Sequence, residues 1–293
     1  MSAATPAPSP GLPAGSSSAS RLPGTWAQAL LLSRYQFRDY LRSRRFILMM
    51  SIVGVIGAII TLVLYHYNGA GLSGSADAFY GSLWGGGVYV VIIFSGIIFG
   101  GDAIAGEFQN KTGYFLMGLP IRRTSVYAGK FLAALAASLV ATVFYLLILV
   151  ANGAYYLGAG AVPLALLESF GIMLLYLLAL LGAVFLFSSM FKNSLYAVLV
   201  VAVLFLFGFM IIVALVVGLV KTEPWFIIDY ARGVISYPFD PVLPAHVMTS
   251  RTFGGGTTTS YNPTYPEGFA IMIGYFLLTA IAGLVLFERE EFT

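Results

Sequence analysis

The chain contains no cysteine. Disulfides, thiolate metal sites and cysteine nucleophiles are thereby excluded, and nothing indicates a redox compartment. Charge is scarce too. Asp, Glu, Lys and Arg make up 9% of the 293 residues, against about 25% in an ordinary soluble domain. So little charge cannot cover a water-facing surface. Histidine occurs only at His66 and His246, so no zinc-binding H-E-x-x-H and no intramembrane Ser/His pair can form. No apolar run holds a pair of acids, which leaves an intramembrane enzyme or a proton- or sodium-driven carrier without its working groups.

What the chain has in quantity is apolar residues, at 59%, with a mean hydropathy of +0.90. They fall in long runs at 46–65, 83–100, about 126–151, 163–187, 195–220 and 269–287. Each can cross a hydrocarbon core of about 30 Å as a helix. None alternates polar and apolar as a barrel strand does. The expected fold class is an all-α integral membrane protein with six transmembrane helices. Such a chain has both termini on one side, where twelve basic residues fall, against Lys221, Arg232 and Arg251 on the other. The positive-inside rule then predicts cytoplasmic termini and a multi-pass protein of the cell membrane.

Residues 1–23 are rich in Pro, Ala, Ser and Gly, and are expected to form a disordered cytoplasmic tail with no cleaved leader. Residues 24–45 read as an amphipathic helix. At helical spacing Arg34, Arg38, Arg42 and Arg45 form one stripe beside an apolar face of Trp26, Leu30, Phe37 and Leu41. That pattern suits a helix lying in the membrane interface, toward lipid headgroups. Residues 46–293 are expected to form one six-span transmembrane domain.

Charge is concentrated between the second and third runs, where Asp102, Glu107, Lys111, Arg122, Arg123 and Lys130 lie close together. The stretch is too long for a plain turn. Phe108, Thr112, Phe115 and Leu119 share one helical face, and Glu107 and Lys111 pair on another. Gly118 and Pro120 end the helix. A short amphipathic helix with an unpartnered apolar face is expected there, facing a protein or the membrane surface.

Asp102, Gly106-Glu107, Thr112, Leu119-Pro120-Ile121, Arg123 and Gly129-Lys130 resemble the signature of permease subunits of type-2 ABC exporters. The motif resemblance covers 102–130, and the architectural one covers 25–293. The chain departs at Arg122, where a small hydroxyl residue is common. The resemblance implies a cytoplasmic coupling helix docked on an ABC ATP-binding subunit. Asp102, Glu107, Phe108, Lys111, Thr112, Phe115, Pro120 and Arg123 would carry that contact. It also implies two ATPase subunits, which bind ATP and Mg, and a second permease, the same or a related chain. Membrane lipid is an expected partner and nucleic acid is not. The alternative is a membrane-embedded scaffold subunit without transport activity.

This chain has no phosphate-cradling loop of its own. The nearest match ends at Gly129-Lys130, with Thr124 in place of the first glycine and Phe131 in place of the hydroxyl. No catalytic, cofactor or metal residue is expected on it. Glu168, inside the fourth run, is a candidate for the substrate pathway or the headgroup level. Gly96 and Gly100 form G-x-x-x-G, a packing seam within the chain or with a second copy. The external segment has an aromatic, proline-punctuated part at 224–248, re-entrant in character by the same resemblance. A turn-rich part expected to be a flexible loop follows before the last run.

Overall fold

The computed structural model describes residues 24–67, 74–110, 121–158, 160–251 and 257–289. Six helices among them are long and apolar enough to cross a membrane. A leading helix, α1 (Thr25–Arg42), precedes them. The spans are α2 (Arg44–His66), α3 (Ala76–Gly100), α5 (Arg123–Leu157), α6 (Leu164–Met190), α7 (Ser194–Val220) and α9 (Tyr265–Arg289). Between α3 and α5 sits the short α4 (Ala105–Gln109), and before α9 the short α8 (Ile228–Ala231).

The spans outrun their apolar runs because polar caps lie beyond them. Ser75 caps α3 by accepting from the Ala78 N–H, so the helix begins at Ala76, seven residues ahead of the expected start at Leu83. At 35 residues, α5 is about 53 Å long, well beyond the hydrocarbon core. It projects into the region where α1 and α4 lie.

The core is the middle of the bundle, where α3 and α6 meet α5. In α3, 78% of the best apolar window is buried, against 11% in α7 and in α9. Surface that lipid or another chain could cover therefore lies on the outer spans. Gly96 and Gly100 belong to the inner seam. A Cβ on Gly96 would stand 2.4 Å from Leu180 Cδ2, and one on Gly100 would stand 2.8 Å from Val184 Cγ1, both on α6. The G-x-x-x-G pair joins two helices of the same chain, and α3 has little surface left for a second copy.

Two further expectations change. Arg45 leaves the arginine stripe, because the helix breaks at Ser43, where the backbone turns extended and the Ser43 hydroxyl caps α2 through Phe46 N–H. The segment before α9 also contains a pair of strands. Strands β1 (Val247–Arg251) and β2 (Thr257–Tyr261) pair antiparallel, Val247 opposite Tyr261. A run of threonines favours the extended chain once a partner strand is beside it. This hairpin is the one β element among the described residues.

The segment ahead of the hairpin folds back onto α3, α6 and α9. Ile228, Ala231, Val234 and Ile235 are buried there. Polar groups fix its position. Trp84 Nε1 donates to Ser169 Oγ at 2.9 Å, and Ser169 in turn donates to the Ile235 carbonyl. Tyr89 donates to Asp229, and Arg232 lies over the Tyr89 ring at 4.5 Å. Tyr237 donates to the Pro263 carbonyl at 2.8 Å. Burial first, then the nearby Asp240 charge, pushes the Tyr237 hydroxyl up to about 12, so it stays a neutral donor.

Candidate functional site

The charged stretch of the sequence becomes a polar joint at the end of the bundle that carries both ends of the described chain. The joint starts where α3 stops. Gly101 is needed at the turn, because a Cβ there would lie 2.5 Å from the Ile97 carbonyl oxygen. The next free N–H groups, Ile104 and Ala105, donate to Ser188 Oγ of α6 at 3.0 and 3.2 Å. This satisfies the donors that open α4.

Two carboxylates then tie the turn to other spans. Asp102 takes both terminal nitrogens of Arg45, each at 2.6 Å, in a bidentate fork. It also accepts from Ser194 Oγ at 3.0 Å. One buried carboxylate thus links the starts of α2 and α7 to the end of α3. Glu107 meets Lys130 Nζ of α5 at 2.6 Å, and the same ammonium donates to the Ala103 carbonyl at 2.9 Å. Both side chains of this pair are largely buried, at 11% and 16% exposure, whereas Arg45 is half exposed. The Lys130–Glu107 pair is therefore the costlier of the two to break.

The leading helix locks onto the same joint. Tyr40 donates to the Phe99 carbonyl at 2.9 Å. Burial, reinforced by the Asp102 charge, holds its hydroxyl well above the ordinary tyrosine range, so it remains a donor. Arg122, the departure from the familiar pattern, grips the first turn of α1. Its side chain donates to Thr25 Oγ1 at 3.1 Å and its N–H donates to Gln28 Oε1 at 3.3 Å. Arg123 Nη1 donates to the Glu288 carbonyl at 2.8 Å, placing a cation at the C-terminal end of α9.

The sequence-derived site residues divide into three groups. Asp102, Glu107 and Arg123 come together in this joint as internal braces. Phe108 is half-buried with its ring edge-on to Phe287 of α9, centroids 6.3 Å apart. Phe108 thus has an aromatic neighbour on α9 that the local helical pattern could not reveal. Lys111, Thr112, Phe115 and Pro120 lie outside the described residues. Glu168 is exposed near the start of α6, away from the joint.

Ser188 and Ser194 escaped the sequence reading, Arg45 was read only as part of the arginine stripe, and Lys130 only as one of the clustered charges and in the Gly129-Lys130 doublet. No local pattern marks a lone serine as the partner of a helix start eighty residues away. The joint contains no histidine. The one His/Asp/Glu group able to hold a metal ion among the described residues lies elsewhere.

The family model for the ABC-2 family transporter protein matches residues 30–292. The chain belongs to that family. No curated protein matches it. As a type-2 ABC permease, the chain is a multi-pass membrane subunit of an ABC transporter, with the joint built on the stretch between its second and third spans. Membership implies association with an ABC ATP-binding subunit and dimerisation, and a channel-forming rather than ATP-hydrolysing role.

Proposed function

We propose that the chain is the permease of an exporter driven by separate ATPase subunits, and that residues 101–123 receive their stroke. The carrying observation is that both acids of the α3–α4 turn are tied to other spans, Asp102 to Arg45 of α2 and Glu107 to Lys130 of α5. A loop braced in this way moves with the spans rather than independently of them. Displacement at its tip would reach α2, α3, α5 and α7 together. Asp102, Glu107, Phe108 and Arg123 act as the frame, and the contact with the ATPase falls on the stretch that carries Lys111, Thr112, Phe115 and Pro120. ATP and Mg bind on the partner. The termini and the joint face the cytoplasm, as the twelve basic residues on that side favour.

The test compares two phenylalanines. Phe115→Ala is expected to reduce co-purification of the ATPase subunit by tenfold or more, since truncating an aromatic anchor costs about 2 kcal/mol, with thermal stability unchanged. Phe108→Ala is expected to lower stability by about 2 kcal/mol while leaving the ATPase bound. Wild-type assembly and transport-linked ATPase rate in Phe115→Ala would remove the stretch from the interface.

A further inference from the structure

At the end of the bundle opposite the joint, three separate segments bring Glu223, His246 and Glu267 together. Their ligand-capable atoms all lie within 4.8 Å of one another. Glu223 follows α7, His246 precedes β1, and Glu267 sits in the first turn of α9. His246 Nδ1 lies 2.9 Å from the Asn262 carbonyl oxygen, which can only accept, so Nδ1 carries a hydrogen. In the neutral ring, Nε2 is then a lone pair, 3.4 Å from Glu223 Oε2, while Glu267 Oε2 stands 3.8 Å from Nδ1 and must turn toward Nε2 to share an ion with it. The two acceptors Nε2 and Glu223 Oε2 repel unless a proton or a cation lies between them.

The separation favours a cation. A direct charge-assisted bond would close to about 2.7–2.9 Å. Two ligands about 2.05 Å from a tetrahedral zinc ion stand about 3.3 Å apart, close to the observed 3.4 Å. Each of the three side chains also has an outer partner that orients it, as metal ligands require. Tyr230 donates to Glu223 Oε1 at 2.6 Å, leaving Oε2 toward the histidine. The Thr264 N–H donates to Glu267 Oε2 at 2.8 Å. The three side chains are 24%, 39% and 41% exposed, so an ion can reach them from water and a water molecule can complete the tetrahedron.

We propose that Glu223, His246 and Glu267 bind one zinc ion and thereby clasp the end of α7 and the hairpin to the start of α9. An imidazole beside carboxylates suits zinc better than magnesium or calcium, which prefer all-oxygen shells. Two carboxylates balance the ion's charge. The clasp would stiffen the outer cap. It draws nothing from the joint at the other end.

The experiment uses the full chain, purified in detergent without a polyhistidine tag and stripped with chelator. Zinc chloride is titrated by calorimetry, with magnesium chloride as comparison, and the unfolding temperature is followed in parallel. One zinc per chain should bind, with a rise in unfolding temperature and no response to magnesium. His246→Ala should weaken zinc by more than the roughly tenfold to hundredfold that loss of an outer-shell partner costs. Glu267→Gln should do likewise while keeping the fold, because glutamine still accepts from the helix-start N–H. His66→Ala, at the only other histidine, should bind as wild type. Absence of saturable zinc binding to wild type, equal binding of magnesium, or undiminished zinc binding in both His246→Ala and Glu267→Gln would each overturn the site.

Discussion

Lys130 shows how a single residue can hold a joint together. Its ammonium reaches both a backbone carbonyl and the Glu107 carboxylate, with little water near either charge. Lys130→Met would take the ammonium away from the largely buried Glu107 carboxylate, a loss of about 3 kcal/mol. Glu107→Gln should cost less, because an amide oxygen can still accept from the ammonium. Thermal unfolding of both variants in detergent checks the order. Equal stabilities would mean that the pair contributes nothing. The chemistry of these residues was legible in the sequence, since charge is rare in this chain and clusters here. Their partners were not. The structure joins Glu107 to Lys130 across two elements, a contact that local periodicity cannot encode.

At the scale of elements, α1 is more than an amphipathic ribbon on a surface. Its small inner face packs against α5 at Gly129, where an added Cβ would lie 2.9 Å from the Ala29 carbonyl oxygen and 2.8 Å from Leu32 Cβ. Trp26 and Leu30 point outward, and so do Arg34, Arg38 and Arg42. Gly129→Leu cannot be accommodated by a side-chain rotation alone, since one obstacle is backbone. Overpacking of this kind costs about 1–3 kcal/mol, and here it should lift α1 from α5. Trypsin is expected to cut faster at Arg34 and Arg38 in the variant, with cleavage at Lys192 unchanged. An unaltered digestion pattern would show that α1 holds by other contacts. The sequence revealed the helix and its arginine stripe, but of the expected apolar outer face Phe37 packs against the core while Trp26, Leu30 and Leu41 are exposed. It did not reveal the third face, because Ala29, Leu32 and Ser33 look like filler until a glycine on another helix meets them.

For the whole molecule, orientation and assembly follow from which surfaces remain open. The span α3 spends its surface on α5 and α6, and α6 on α9 and α3, whereas α7 leaves Leu199, Val203 and Phe207 exposed. That face suits lipid or the second permease, since helix pairs in membranes form by close packing rather than by hydrophobic exclusion. The absence of native cysteine makes one experiment serve both questions. Single cysteines at Ser2, Val203 and Ser250 are introduced in turn. Ser250→Cys should react with an impermeant reagent in intact cells and Ser2→Cys should not. Val203→Cys should give oxidatively cross-linked dimers, while cysteine at the buried Val88 should give none. External labelling at Ser2 would invert the topology, and a monomeric Val203 variant would move the seam elsewhere.

The sequence by itself determined the solvent this protein lives in, the number of its spans and the place where its charge is concentrated. Those features depend on composition and on runs of neighbouring residues, and a membrane leaves a chain of this hydropathy few alternatives to helices. Tertiary structure alone decided which glycines face which helix, and that Arg45 departs from its stripe to grip Asp102. It also turned Phe108 inward, ordered the threonine run into a strand, and brought Glu223, His246 and Glu267 to one point. Each of these depends on contacts between segments tens of residues apart. Such contacts exist only once packing has fixed where every helix crosses its neighbours, because side chains meet through space and the sequence records only their order.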